Sequence, residues 1–226
     1  MKEGLSKSKK VNKKQIIGHA AILIILSAIC IWDRIVNIPK FPKNCLFLTQ
    51  IDLYLSMIYY AISLIDDLKN INSKQHYQKF FNFIFCVSFE VFVMFWCMFF
   101  LSKNLIYGKS NKKEIAPLPL NILLHGGVFV LNLIEQVIIN PRKKPSYFKF
   151  FYFFIFELLY LLALQFFQFS LKVKIYPFLY GGLWKLLTVA VTGFLVCLIG
   201  HSLYYWLTSR AGNIESSEKG KELIEE

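Results

Sequence analysis

The sequence predicts an all-α integral membrane bundle of about six transmembrane helices. Three observations carry that reading. Hydrophobic residues make up 56% of the 226, mean hydropathy is +0.47, and the apolar residues fall into six stretches of membrane-crossing length separated by short basic loops. A share this high leaves too little polar surface to cover a globule in water, whereas a bilayer requires no such cover. The same composition excludes a disordered chain. The net charge of +12 sits between apolar runs and not on one basic face, so it reads as membrane topology. The partner it implies is the bilayer, and no nucleic-acid partner is expected.

At the start of the chain a basic head, 1–15, carries Lys2, Lys7, Lys9, Lys10, Lys13 and Lys14 and precedes a first span at 16–36. A cleaved signal peptide has that layout too, but no small-x-small cleavage site closes the stretch, so it reads as an uncleaved span. The second span, 45–66, contains Thr49 and Asp52, and the third, 80–101, has Glu90 as its single formal charge. The fourth, 118–139, holds Asn121, His125, Asn132 and Glu135. The fifth, 147–170, has Lys149 near its start and Glu157 inside. The sixth, 183–207, contains Thr188, Thr192 and His201, and a polar tail, 209–226, comes after the six-span domain 16–208.

Alternate loops differ in charge. Sixteen Lys and Arg flank the side that holds both ends of the chain and eight flank the other, so both termini are expected in the cytosol. Endomembrane, such as endoplasmic reticulum, and plasma membrane both fit. Cys30, Cys45, Cys86, Cys97 and Cys197 lie in or beside spans without C-x-x-C or His–Cys spacing. Such spacing points to neither a zinc site nor a disulfide framework, and the cysteines read as apolar fillers. No metal and no cofactor is expected.

The loops are too short for a soluble catalytic domain, so any chemistry falls to side chains on the helices. Charged or strongly polar groups at membrane depth are costly and need a reason to be there. Spans two and four hold most of them and cross in the same direction. Thr49 lies roughly 6 Å below the start of its span and His125 roughly 10 Å below its own, at 1.5 Å per residue. A hydroxyl and an imidazole can therefore meet at one level, with Asp52 one turn after Thr49 and Asn121 one turn before His125. The blander alternatives stay open on spacing alone. A transmembrane Thr often bonds its own backbone, a His often ties helices together, and Gly126 and Gly127 suit close packing.

Particular strings narrow the choice. Span two reads Phe47-Leu48-Thr49-Gln50-Ile51-Asp52; span four reads Leu120-Asn121-Ile122-Leu123-Leu124-His125 and continues to Leu133-Ile134-Glu135. Tyr176-Pro177-Phe178-Leu179 comes after the fifth span and Leu198-Ile199-Gly200 lies in the sixth. Their order and separation resemble the androgen-induced protein family, from about residue 22 to 207. The resemblance implies a membrane hydrolase of fatty acid esters of hydroxy fatty acids, with the family's threonine nucleophile falling on Thr49 and its histidine on His125. Asp52, Asn121, Gly126 and Glu135 are the candidate supporting or substrate-binding residues. The chain departs from the family where many members carry a second histidine after the asparagine; here stands Ile122. The competing classes are a transporter or channel, with Asp52, Glu90, Glu135 and Glu157 lining a path, and a non-enzymatic scaffold.

Overall fold

The computed structural model describes residues 13–37, 43–69, 74–101, 117–139, 150–170, 176 and 183–225. Every regular element among them is helical. Six helices are long and apolar enough to cross a membrane. They are α1 (Lys13–Asn37), α2 (Leu48–Lys69), α3 (Lys74–Leu101), α4 (Leu118–Ile139), α5 (Phe150–Ser170) and α6 (Leu183–Glu225). The basic head up to residue 12 lies outside the described residues. The sixth helix runs on past its apolar part, so the tail through Glu225 is a helical extension.

The helices form a bundle in which α1 packs along α2, α3 along both α2 and α6, and α5 along α6, while α4 touches α1, α2, α3 and α6. The interior is aromatic, built on Tyr59, Tyr60, Phe81, Phe85, Phe129 and Tyr204 with Leu26, Leu53 and Leu120. Large apolar side chains such as Ile24, Phe100, Leu162, Phe166 and Ile199 stand on the outside, where lipid is the solvent. Polar groups turn inward instead: Asp52, Ser56, Ser88, Asn132 and Glu135 are all buried. That distribution is the one a bilayer enforces.

Two local features set the helix positions that matter. The first is the close approach of α6 to α3. A methyl group at Gly200 would sit 2.8 Å from Cδ1 of Phe89, and one at Gly193, two turns earlier on the same face, 2.7 Å from Oε1 of Glu90. Only glycine leaves room there, as at other close transmembrane contacts. Gly200→Leu is expected to push the two helices apart and lower stability by about 1–3 kcal/mol, read as a fall in the thermal unfolding midpoint of the detergent-solubilised protein.

The second feature is the irregular course of α4. Pro117 caps it with extended backbone, and Pro119 falls in its first turn, where no intrahelical N–H is needed. Leu123–Gly127 and Glu135–Ile139 then each form a π-helical turn. Such turns take in one more residue than an α-turn and so rotate the rest of the helix about its axis. Gly126 and Gly127, weak α-formers, lie in the first turn beside His125. Glu135 opens the second.

Candidate active site

The start of α2 is assembled before any reactive group is reached. After a short 3-10 turn at Lys43–Leu46, the Phe47 carbonyl accepts from the Gln50 and Ile51 amides at 2.9 and 3.1 Å, which begins the helix. The Leu48 amide is one of the first-turn donors that a helix cannot satisfy itself. It donates to the Tyr176 hydroxyl at 2.9 Å. Tyr160 on α5 donates to the Leu46 carbonyl at 3.1 Å, so in the 3.1 Å contact between the two phenols Tyr176 is the donor. Burial pushes the Tyr176 hydroxyl up to about 12, which keeps it a neutral donor at ordinary pH. Two tyrosines thus fix the helix end on which Thr49 stands.

Thr49, 8% exposed, turns its hydroxyl toward α4, and Oγ1 lies 3.1 Å from Nδ1 of His125. The two residues are 76 positions apart in the chain. The imidazole is held in plane by Phe95 of α3, which stacks on it with ring centroids 3.5 Å apart and planes 3° from parallel. Trp96 packs edge-on against Phe95, and Trp96 Nε1 would lie 3.6 Å from a methyl group on Gly126. Helices α2, α3 and α4 therefore each contribute one part: hydroxyl, aromatic backing and imidazole.

The other sequence-derived candidates distribute unevenly. Asn121 is buried on α4 one turn before His125, and Gly126 faces Phe92 and Trp96 of α3. Asp52 is engaged elsewhere: Ser88 of α3 donates to its Oδ1 at 2.6 Å. Ser88 in turn accepts from Asn132 at 2.7 Å, and Tyr60 donates to Asn132 Oδ1 at 2.9 Å. Glu135 belongs to a further group, with the Tyr59 hydroxyl and His19 Nε2 each 3.1 Å from its Oε1 and Asp67 2.7 Å from His19 Nδ1. These groups run from the far end of α2 toward Thr49. Asp52 and Glu135 hydrogen-bond within that column and are not brought to the Thr49–His125 pair.

The sequence did not mark out Phe95, Tyr160, His19 or Asp67, and Tyr176 stood there only as part of a motif. One aromatic among 23 phenylalanines carries no local mark. Stacking partners depend on how helices are rotated, which spacing does not encode.

The fold and the pair together define a class: an all-helical, multi-pass membrane protein that holds a threonine hydroxyl against an imidazole between its second and fourth spans. The chain belongs to the FAR-17a/AIG1-like protein family, whose sequence model matches residues 14–210. It is similar to the androgen-dependent TFPI-regulating protein of Homo sapiens, 30% identical over 109 residues, which are 44% of this chain and 46% of that protein. The proteins of the same name from Mesocricetus auratus and Mus musculus are each 28% identical over the same lengths. The match spans about half the length of these curated relatives. No solved structure matches the chain.

Proposed function

We propose that the protein is a membrane-embedded carboxylic ester hydrolase acting on lipid esters, of the class of fatty acid esters of hydroxy fatty acids, through a covalent acyl-threonine. The observation that carries this reading is the 3.1 Å contact between Thr49 Oγ1 and His125 Nδ1. A threonine hydroxyl is a weak nucleophile unless a base takes its proton during attack, and an imidazole at hydrogen-bond distance is placed for that.

In the first half-reaction the Thr49 proton passes to His125 Nδ1 as Oγ1 bonds to the ester carbonyl carbon. The resulting tetrahedral centre collapses, the bond to the hydroxy acid oxygen breaks, and His125 returns the proton to that leaving oxygen. In the second half-reaction water loses a proton to His125 and attacks the acyl-threonine, and the same proton then restores the Thr49 hydroxyl. The products are a hydroxy fatty acid and a fatty acid. For the developing oxyanion, the location of Thr49 in the first turn of α2 is favourable because it lies at the positive end of the helix dipole, although the Leu48, Gln50 and Ile51 amides of that turn are already taken by Tyr176 and Phe47. Amides around Gly126 are less suited, since they lie inside a helical turn. Asn121 is the neighbouring side-chain donor. A two-chain ester suits this location: its acyl chains stay in hydrocarbon while the central ester reaches the polar pair.

Purified protein in detergent, incubated with such an ester, is expected to release both acids in equal amounts, followed by mass spectrometry. Absence of hydrolysis by folded protein across esters of different chain length would overturn the reading. Phe95→Leu, which keeps bulk but removes the flat ring behind His125, is expected to slow turnover about tenfold or more by freeing the imidazole plane, an effect of lost orientation. Retention of the parent rate would show that the stack does not position the base.

A second reading has its own support: the column of Asp67, His19, Glu135, Tyr59, Tyr60, Asn132, Ser88 and Asp52 is what a solute or proton path would use. Thr49→Ala discriminates, since it removes hydrolysis and leaves such a path intact. For topology, both termini are placed in the cytosol on the Lys/Arg asymmetry. Tags at either end are expected to be cut by protease added to sealed microsomes, and protection until permeabilisation would reverse the assignment.

A further inference from the structure

A second group of reactive side chains lies apart from the Thr49–His125 pair, between α3, α5 and α6. Glu90, Glu157 and Cys197 each offer a ligand atom, these atoms all lie within 4.8 Å of one another, and all three residues are buried. The Cys197 thiol is 3.5 Å from Glu90 Oε2. Glu157, 7% exposed, keeps its Oε1 enclosed with no hydrogen-bond partner. Gly193, one turn before Cys197, lets the Glu90 carboxylate reach the α6 backbone, since a methyl group there would lie 2.7 Å from Glu90 Oε1 and 3.6 Å from Glu157 Oε2. Among the described residues neither carboxylate is paired with a cationic side chain. Glu90 and Glu157 also hydrogen-bond to each other, which places one proton between two carboxyl groups at membrane depth, and a cation can take that proton's place.

We propose that Glu90, Glu157 and Cys197 form a binding site for one divalent transition-metal ion of the zinc type. Zinc takes thiolate and carboxylate ligands in tetrahedral geometry, and bonds of about 2.3 Å to sulfur and 2.1 Å to oxygen put those two ligand atoms about 3.6 Å apart. The Sγ to Oε2 separation of 3.5 Å already matches that edge. Glu157 supplies a third ligand oxygen within 4.8 Å of the other two ligand atoms, and its Oε1 makes no hydrogen bond that coordination would have to break. Sulfur in the set disfavours magnesium and calcium, which take oxygen ligands. Three protein ligands leave a fourth position for water. A cavity of about 210 Å³ lined by Lys79, Asn82, Cys86, Tyr152, Cys197 and His201 borders the site at Cys197. The bound ion ties α3, α5 and α6 together, and its binding releases the Cys197 thiol proton and the proton between the two carboxyl groups.

The site shares no residue with the proposed catalytic pair, so the two readings fail independently. The test uses the full-length protein in detergent, stripped with chelator and then titrated with Co2+ or Zn2+ alone. The expected results are one Zn2+ per chain by elemental analysis, a raised unfolding temperature, and a thiolate-to-cobalt charge-transfer band. Cys197→Ser should lose the band, Glu157→Gln should weaken Zn2+ binding at least about tenfold, and Cys86→Ser and Thr49→Ala should retain both. Absence of the cobalt band in folded parent protein, which needs no variant, would overturn the proposal. So would Zn2+ binding that Cys197→Ser leaves unchanged.

Discussion

Thr49→Ala is expected to remain folded and to hydrolyse lipid esters at least about a thousandfold more slowly than the parent, the scale on which loss of a nucleophile is felt when binding and transition-state donors remain. The substitution removes one hydroxyl and one methyl group from a helix end already fixed by Tyr176 and Tyr160, so expression, detergent solubility and unfolding temperature should change little. Thr49→Ser keeps the nucleophilic oxygen and loses the methyl group that restricts its rotamer, so it should retain part of the rate. Turnover by folded Thr49→Ala near the parent rate would remove the acyl-threonine. The comparison is read by product release under substrate excess.

His125→Gln carries the second large effect. Glutamine keeps a hydrogen-bonding group at the position yet cannot accept and return a proton at neutral pH, so the rate should fall at least about a hundredfold, the lower end of what a positioned acid–base group supplies. A residue that only tied α4 to α2 would tolerate the same change. The pH profile gives an independent reading: parent activity should fall on acidification as the imidazole becomes protonated and stops accepting, and that limb should be missing from whatever activity His125→Gln retains. Persistence of the same acid limb in the variant would assign it to another group.

Much of this molecule is legible along the chain because the bilayer makes spans uniform in length and composition. The six apolar runs coincide with the six helices to within a few residues, apart from the polar continuation of α6. The meeting of Thr49 and His125 was legible from two spans crossing in one direction with similar depths, which needs only the helix rise. Rotation about each helix axis was not legible. Asp52 comes one turn after Thr49, yet it meets Ser88, a residue with no mark of its own in an apolar run. Glu135, ten residues after His125, sits beyond a π-helical turn and faces His19 and Tyr59 instead of the pair. His19, inside the first span, was not singled out, and its bonds to Asp67 and Glu135 join three helices that no spacing rule connects. Cys197 read as an apolar filler, because metal spacing rules describe ligands close in sequence. Its neighbours Glu90 and Glu157 come from two other helices.

The claim that Thr49 is an activated nucleophile is tested most directly by treating the purified protein with a fluorophosphonate probe and mapping the adduct by mass spectrometry. A single adduct is expected on the peptide carrying Thr49, absent from Thr49→Ala and strongly reduced in His125→Gln, because proton removal by the imidazole is the step that labelling and turnover share. Folded parent protein that stays unlabelled, or an adduct on any residue other than Thr49, would contradict it.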